Sequence, residues 1–366
     1  MHIIKEVIKV LEDLAPPGYQ ESYDNAGLLT GSPVWECTGI ICTLDATENV
    51  IAEAITKGCN LVVAHHPIIF SGLKRITGKN YIERTIIAAI KNDIAIYAIH
   101  TNLDNLLSGV NGKMADKLGL INRKVLLKKE NNLMKLAVFA PEENAEIIRE
   151  AIFKAGGGEI GKYSECGFSI KGTGTFKPGE GTSPYIGKIG KRETGVEEKI
   201  EVILPVYKKE KVVEAMLKAH PYEEVAYDLV PLTNHNQEVG SGLWGNLPEP
   251  MDEKAFLQMI KDTFKLQVIK HTPFTGNKVK TVALCGGAGS FLIKNALGAR
   301  ADFYITSDIK YHEFFDAENK MVIADIGHYE SEQFTVDLLH DVLHTNFPTF
   351  AVLKSGVRTN PVHYFI

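Results

Sequence analysis

The hydrophobic positions at the start of the chain fall on one helical stripe. Ile3, Ile4, Val7, Ile8, Leu11 and Leu14 recur at three- and four-residue steps, while Lys5, Glu6, Lys9, Glu12 and Asp13 take the opposite face. Pro16-Pro17-Gly18 ends that helix. The pattern then changes to a short β-branched run at 38–44 and unbroken apolar runs at 61–64 and 94–99, with helical stretches between them. One helix starts behind Thr47, carries Val50, Ile51, Ala54 and Ile55 on one face and stops at Gly58; the next covers 81–91. Continuous apolar strands alternating with helices predict a parallel sheet covered on both faces.

The C-terminal part repeats this plan, with a strand at 279–285, a tight turn at 286–290, a helix at 291–297 and strands at 301–306 and 321–324. From Leu44 to His65 is 21 residues, and from Cys285 to Thr306 is also 21. The expected fold class is therefore α/β, built from two similar βαβ-type halves. The middle reads differently. A strand at 135–140 and a helix at 144–155 lead into a glycine-rich stretch, followed by a strand at 199–205, a helix at 208–219 and a strand at 225–232. That order predicts an inserted ferredoxin-like α+β domain over 126–232, flanked by polar clusters at 128–132 and 233–237. Residues 1–125 and 233–366 would then form one discontinuous domain.

Composition narrows the function classes. A length of 366 residues suits two or three domains, and 45% hydrophobic with 23% charged residues is a folded-protein composition that excludes wholesale disorder. The 40 Lys and Arg against 45 Asp and Glu leave −5, which speaks against a nucleic-acid partner. Cys37, Cys42, Cys59, Cys166 and Cys285 are odd in number and none are at CxxC spacing, so reduced thiols in a cytoplasmic protein are expected. No apolar run reaches the ~18 residues of a membrane span.

The histidines carry the chemistry. Ligands of open parallel sheets collect beyond the carboxyl ends of the strands. Three predicted strands end there in imidazoles and carboxylates: the first in His65-His66-Pro67, the second in His100 and Asp104, the third in His328 and Glu332. Where a strand runs into a loop, His65 and His66 can flank one point. His328 and Glu332, four apart, share a helix face. Asp104 adds a carboxylate in a position to bridge. Three imidazoles and two carboxylates suit two divalent ions, with zinc, iron or manganese compatible with the donor set. His100 and Asp308 are candidates for orienting the ligands. Gly287-Ala288-Gly289 could cradle a phosphate or simply make a tight turn, and it lacks the third glycine of a dinucleotide fingerprint. His312 is a further candidate for the cleft. His220 and Tyr222 belong to the middle segment's own fold or interface.

These motifs resemble the GTP cyclohydrolase I type 2 homologue, or Nif-three-like, family. The resemblance rests on Tyr23-Asp24-Asn25-Ala26-Gly27-Leu28, Ala64-His65-His66-Pro67 and His100-Thr101-Asn102-Leu103-Asp104. Cys285-Gly286-Gly287-Ala288-Gly289-Ser290, Thr306-Ser307-Asp308 and Gly327-His328-Tyr329-Glu330-Ser331-Glu332 extend it to the C-terminal part. It implies a dinuclear metal centre on His65, His66, Asp104, His328 and Glu332, none of them substituted. The middle segment, with Lys162-Tyr163-Ser164-Glu165-Cys166 and His220-Pro221-Tyr222-Glu223-Glu224, resembles the insertion of longer family members, which is similar in fold to CutA and PII modules. A toroidal homohexamer is implied as well. The expectation is a metal-dependent hydrolase acting on a small, nucleotide or phosphorylated, substrate. The alternative is a metal-binding oligomeric regulator with a ligand-sensing PII-like insert.

Overall fold

The computed structural model describes residues 2–365 and has two compact units, 2–128 with 238–365, and 129–237. The chain passes between them within the two polar clusters.

The larger unit holds two mixed sheets. In the five-stranded one the order is Val352–Lys354, Ile40–Asp45, Leu61–His66, Ala95–Ala98 and Gly27–Thr30, all parallel except the last. Side chains alternate across it. Ile40, Cys42, Leu61, Val63, Ala95 and Tyr97 face a core shared with Ile4–Leu14, whereas Ile41, Val62, Ala64 and Ile96 face one shared with Glu48–Lys57 and Tyr81–Lys91. Burial on both faces explains why these strands read as unbroken apolar runs.

The six-stranded sheet has the order Lys270–His271, Val322–Asp325, Phe303–Ser307, Lys278–Ala288, Gly240–Asp252 and Ile121–Lys128. Its middle strands, Val322–Asp325, Phe303–Ser307 and Lys278–Ala288, run parallel; the outer pairings are antiparallel. Here Val282, Leu284, Phe303 and Ile305 pack to one side, and Ala283, Cys285, Tyr304 and Ile323 to the other.

Several boundaries differ from the sequence reading. The strand expected to end at Cys285 continues through Gly286 and Gly287 to Ala288, because both glycine amides find side-chain acceptors at the sheet's end. The following helix begins as a single 3₁₀ turn at Ser290–Leu292, and its α-helical part is Ile293–Gly298. Gly240–Asp252, with its prolines and glycines, gave no strand signal.

In the 129–237 unit four antiparallel strands lie in the order Tyr227–Pro231, Leu133–Pro141, Glu193–Pro205 and Gly167–Phe176. Ala145–Lys154 and Lys209–Ala219 cover one face, on Leu136, Val138, Ile200, Val202 and Leu204. The glycine-rich stretch thus contains a strand, and its partner is longer than the expected 199–205. Cys37, Cys42, Cys59 and Cys285 are buried, and all five cysteines are unpaired thiols. No helix among the described residues is long and apolar enough to cross a membrane.

Candidate metal centre

Strand register builds the site. His65 and His66 end Leu61–His66, and the neighbouring strand places Asp45 directly opposite His66. The His66 Nδ1–H therefore donates to Asp45 Oδ1 at 2.8 Å, and Thr359 Oγ1 donates to the other Asp45 oxygen. Completely buried, His65 donates from Nδ1 to the Ile99 carbonyl at 2.8 Å, at the end of the next strand. His100 follows that strand and donates from Nδ1 to Asp24 Oδ1 at 2.8 Å. His328 opens the short helix His328–Glu332, and its Nδ1 donates to Asp308 Oδ2 at 2.6 Å. All four imidazoles are tied through Nδ1 in this way. Such bonds fix ring orientation and leave Nε2 as the free donor atom.

The remaining atoms converge. His65 Nε2 lies 3.5 Å from Asp104 Oδ1 and 3.9 Å from Glu332 Oε1. Glu332 Oε2 lies 2.9 Å from His66 Nε2 and 3.3 Å from His328 Nε2. Two three-residue groups result, His65–Asp104–Glu332 and His66–His328–Glu332, each with donor atoms within 4.8 Å of one another. A third, His65–His66–His100, meets the same limit. All five residues implied as ligands come together. The carboxylate common to the first two groups is Glu332; Asp104, expected in a bridging position, belongs to one group only. Glu332 turns Oε1 toward His65 and Oε2 toward His66 and its i,i+4 neighbour His328, so one oxygen faces each group.

Charge follows the same geometry. Burial pulls the His66 imidazole down, but its bonds to Asp45 and Glu332 carry it up to about 10. His328, lifted by Asp308 and Glu332 against the same burial, reaches about 11. Asp104, buried beside Glu332, is raised well above the ordinary carboxylate value, while Glu332 is held well below it by the surrounding imidazoles in spite of its burial. Asp24 is buried too, yet the bonds from His100 and Thr101 hold it down at about 2.

A cleft of about 650 Å³ opens on this cluster, walled by Asp45, His66, Phe70, His100, Asp308 and His328, with Asn360, Pro361, Val362 and Tyr364 also lining it. His312 is not among its walls; its ring packs against Tyr311 and Phe315. In the Gly287-Ala288-Gly289 segment the strand runs on to Ala288, and the Gly287 amide is already engaged. Gly287 N donates to Ser331 Oγ, and a Cβ at 287 would come within 2.4 Å of Glu332 Oε1.

The Duf34/NIF3 (NGG1p interacting factor 3) family model matches residues 2–361. The chain belongs to that family. It is 41% identical over 360 residues to the GTP cyclohydrolase 1 type 2 homolog of Halalkalibacterium halodurans, covering 97% of each chain. The protein of the same description from Bacillus subtilis is 39% identical, over 89% of this chain and 88% of the relative. Among solved structures, a Bacillus cereus protein related to NIF3 superposes with a TM-score of 0.86 at 37% identity, covering 100% of this chain and 99% of that one.

Sequence reasoning missed Asp45, Thr359 and the part played by Asp24. Asp45 had a legible signal: an aspartate one step past an apolar strand, in register with His66 on the next. Thr359 had none, because the C-terminal segment reaches the cluster only through the tertiary fold.

Proposed function

We propose that this Duf34/NIF3 protein is a hydrolase working with two divalent ions on a small nucleotide or other phosphorylated substrate. The observation that carries the reading is a pair of orphaned atoms: His65 Nε2 and Asp104 Oδ1 are buried, 3.5 Å apart, and neither meets a hydrogen-bond partner. Leaving two buried polar atoms unmatched is costly, and a cation shared by them removes the cost. His65, Asp104 and Glu332 would hold one ion, and His66, His328 and Glu332 the other. The donors suit zinc, with iron or manganese as alternatives. Ions bound there would lower the pKa of water and polarise a substrate oxygen.

The chain's own residues do the rest. Asp45 and Asp308 fix the His66 and His328 rings and keep their Nδ1 protons. His100, held by Asp24, presents Nε2 at the cleft wall, where it can pass a proton to or from a bound molecule. Phe70, Asn360, Pro361, Val362 and Tyr364 wall the cleft through which a substrate would reach the site. The name of the relatives, GTP cyclohydrolase 1 type 2 homolog, makes GTP the first nucleotide to try, although a shared fold does not fix a substrate.

A panel of nucleotides and phosphoesters, assayed with loaded, chelated and reloaded protein, tests the proposal. Turnover that vanishes on chelation and returns on reloading supports it. Fully loaded protein without turnover on any member favours the second reading, a metal-binding regulator whose insert senses a ligand. In that reading the 129–237 unit is a ferredoxin-like domain akin to CutA and PII modules. The strand order of the unit, with both helices on one face, supports that kinship. We take the assembly to be a toroidal homohexamer of a cytoplasmic protein in either case, without a nucleic-acid or membrane partner.

A further inference from the structure

The two helices of the 129–237 unit cover one face of its sheet. The other face carries a different set of residues. Phe139 and Lys199 pair across adjacent strands there, Glu197 lies two residues from Lys199, and Phe176 ends the next strand opposite Glu193. Over this face lie Tyr222, just beyond the second helix, and Tyr185, in the loop before Glu193. Phe139, Phe176, Tyr185, Glu197 and Tyr222 line a cavity of about 290 Å³, which adjoins a second of about 440 Å³ through Phe176, Ile186, Glu197 and Tyr222.

Three features define what the cavity can hold. First, its rings are tilted, not stacked: Tyr222 stands 6.0 Å from Phe176 at 54° and 6.1 Å from Tyr185 at 51°. Their π faces are not spent on one another. Second, six carboxylates against the single Lys177 line the two lobes. Glu197 accepts from the Tyr222 hydroxyl at 3.2 Å, and Glu143 from the Tyr185 hydroxyl at 3.1 Å. Gly174 makes room for Glu197, since a Cβ there would lie 2.0 Å from Oε2. Third, the chain already lays a cation on this surface: Lys199 Nζ sits 5.9 Å from the Phe139 ring centre. Buried His220 braces the wall, donating from Nε2 to the Phe139 carbonyl and accepting from Tyr222 N at Nδ1. That tautomer adds no positive charge.

We infer that this cavity is a binding site for a small organic cation, an alkylated ammonium seated on the rings of Phe176, Tyr185 and Tyr222 with Glu197 as its counter-ion. Rings of this kind attract cations through their negative π faces, and most strongly where water is displaced. A phosphate-bearing ligand would meet carboxylates on both lobes.

The test uses choline and its neutral isostere 3,3-dimethylbutan-1-ol, titrated into the full-length protein and followed by calorimetry and ligand-observed NMR. Choline should bind saturably and the isostere should not. Glu197→Gln should weaken choline by about tenfold or more, and Tyr222→Leu likewise, while Tyr222→Phe keeps most of the binding. Circular dichroism of each variant confirms that it folds. Equal binding of choline and the isostere, unchanged affinity in Glu197→Gln or Tyr222→Leu, or no saturable binding of choline would overturn the assignment.

Discussion

Glu332 Oε2 lies 2.9 Å from His66 Nε2, although 266 positions separate the two residues. The contact joins the strand end of the five-stranded sheet to the short helix that follows the six-stranded one. Neither part of the chain can therefore assemble the whole cluster alone. Glu332→Ala and His328→Ala should each lower metal content, with affinity falling at least about 10–100-fold, while the far-UV spectrum is kept. Elemental analysis of purified variants checks this, and full occupancy in both would remove the C-terminal residues from the ligand set.

Gly287 has φ +65, and a Cβ there would meet Glu332 Oε1 at 2.4 Å. Gly287→Ala should therefore push the shared carboxylate away from His65 and lose metal, besides about 1–2 kcal/mol for the left-handed backbone. A double comparison separates the two effects: Gly276→Ala, also at positive φ but with open space around the added Cβ, should cost stability and leave metal content alone. Equal metal in Gly287→Ala and the wild type would contradict the close packing.

Asp24 supplies the pH prediction. Its folded value of about 2 lies below the ordinary 3.8, so the ionised form is favoured in the native state. The stabilisation is complete above the unfolded value near 4 and is lost as pH falls through about 2. Chemical unfolding at pH 7 should find Asp24→Asn less stable by on the order of 2 kcal/mol, with the gap closing below pH 4. A gap that widens on acidification would reverse the assignment.

Lys128 pairs with Gly240 on adjacent antiparallel strands, so the chain leaves the larger unit and returns to it one strand apart. A chain in which a short glycine turn joins Lys128 to Glu238 should fold and bind metal as the full protein does. Thermal unfolding and metal content check it; aggregated, metal-free product would show that the 129–237 unit is needed for folding.

Much of the fold was legible because its strands are buried on both faces. The alternation of Val62, Val63 and Ala64 between two cores leaves no polar position to blur the run. His65 and His66 stood out for the same reason, as imidazoles ending an apolar strand. The helix Tyr81–Lys91 was found at its full length. Other elements stayed hidden where local signals conflict with tertiary contacts. Gly167–Phe176 is a strand despite three glycines, because its partner Glu193–Pro205 pairs with it along its whole length. The shared role of Glu332 was not readable either, since spacing places a side chain on a helix face but does not say which oxygen meets which partner. The link from Thr359 to Asp45, more than 300 positions apart, has no sequence signature at all.

The proposed function rests on His65, His66, Asp104, His328 and Glu332 together holding two divalent ions. Its most direct test is the metal stoichiometry of the purified protein, measured by elemental analysis before chelation, after chelation and after reconstitution with zinc, iron or manganese. About two ions per chain are expected in the reconstituted protein, falling to less than one in a variant combining His65→Ala and His66→Ala. Protein that arrives without metal and takes none up, or a double variant that keeps two ions, would contradict it.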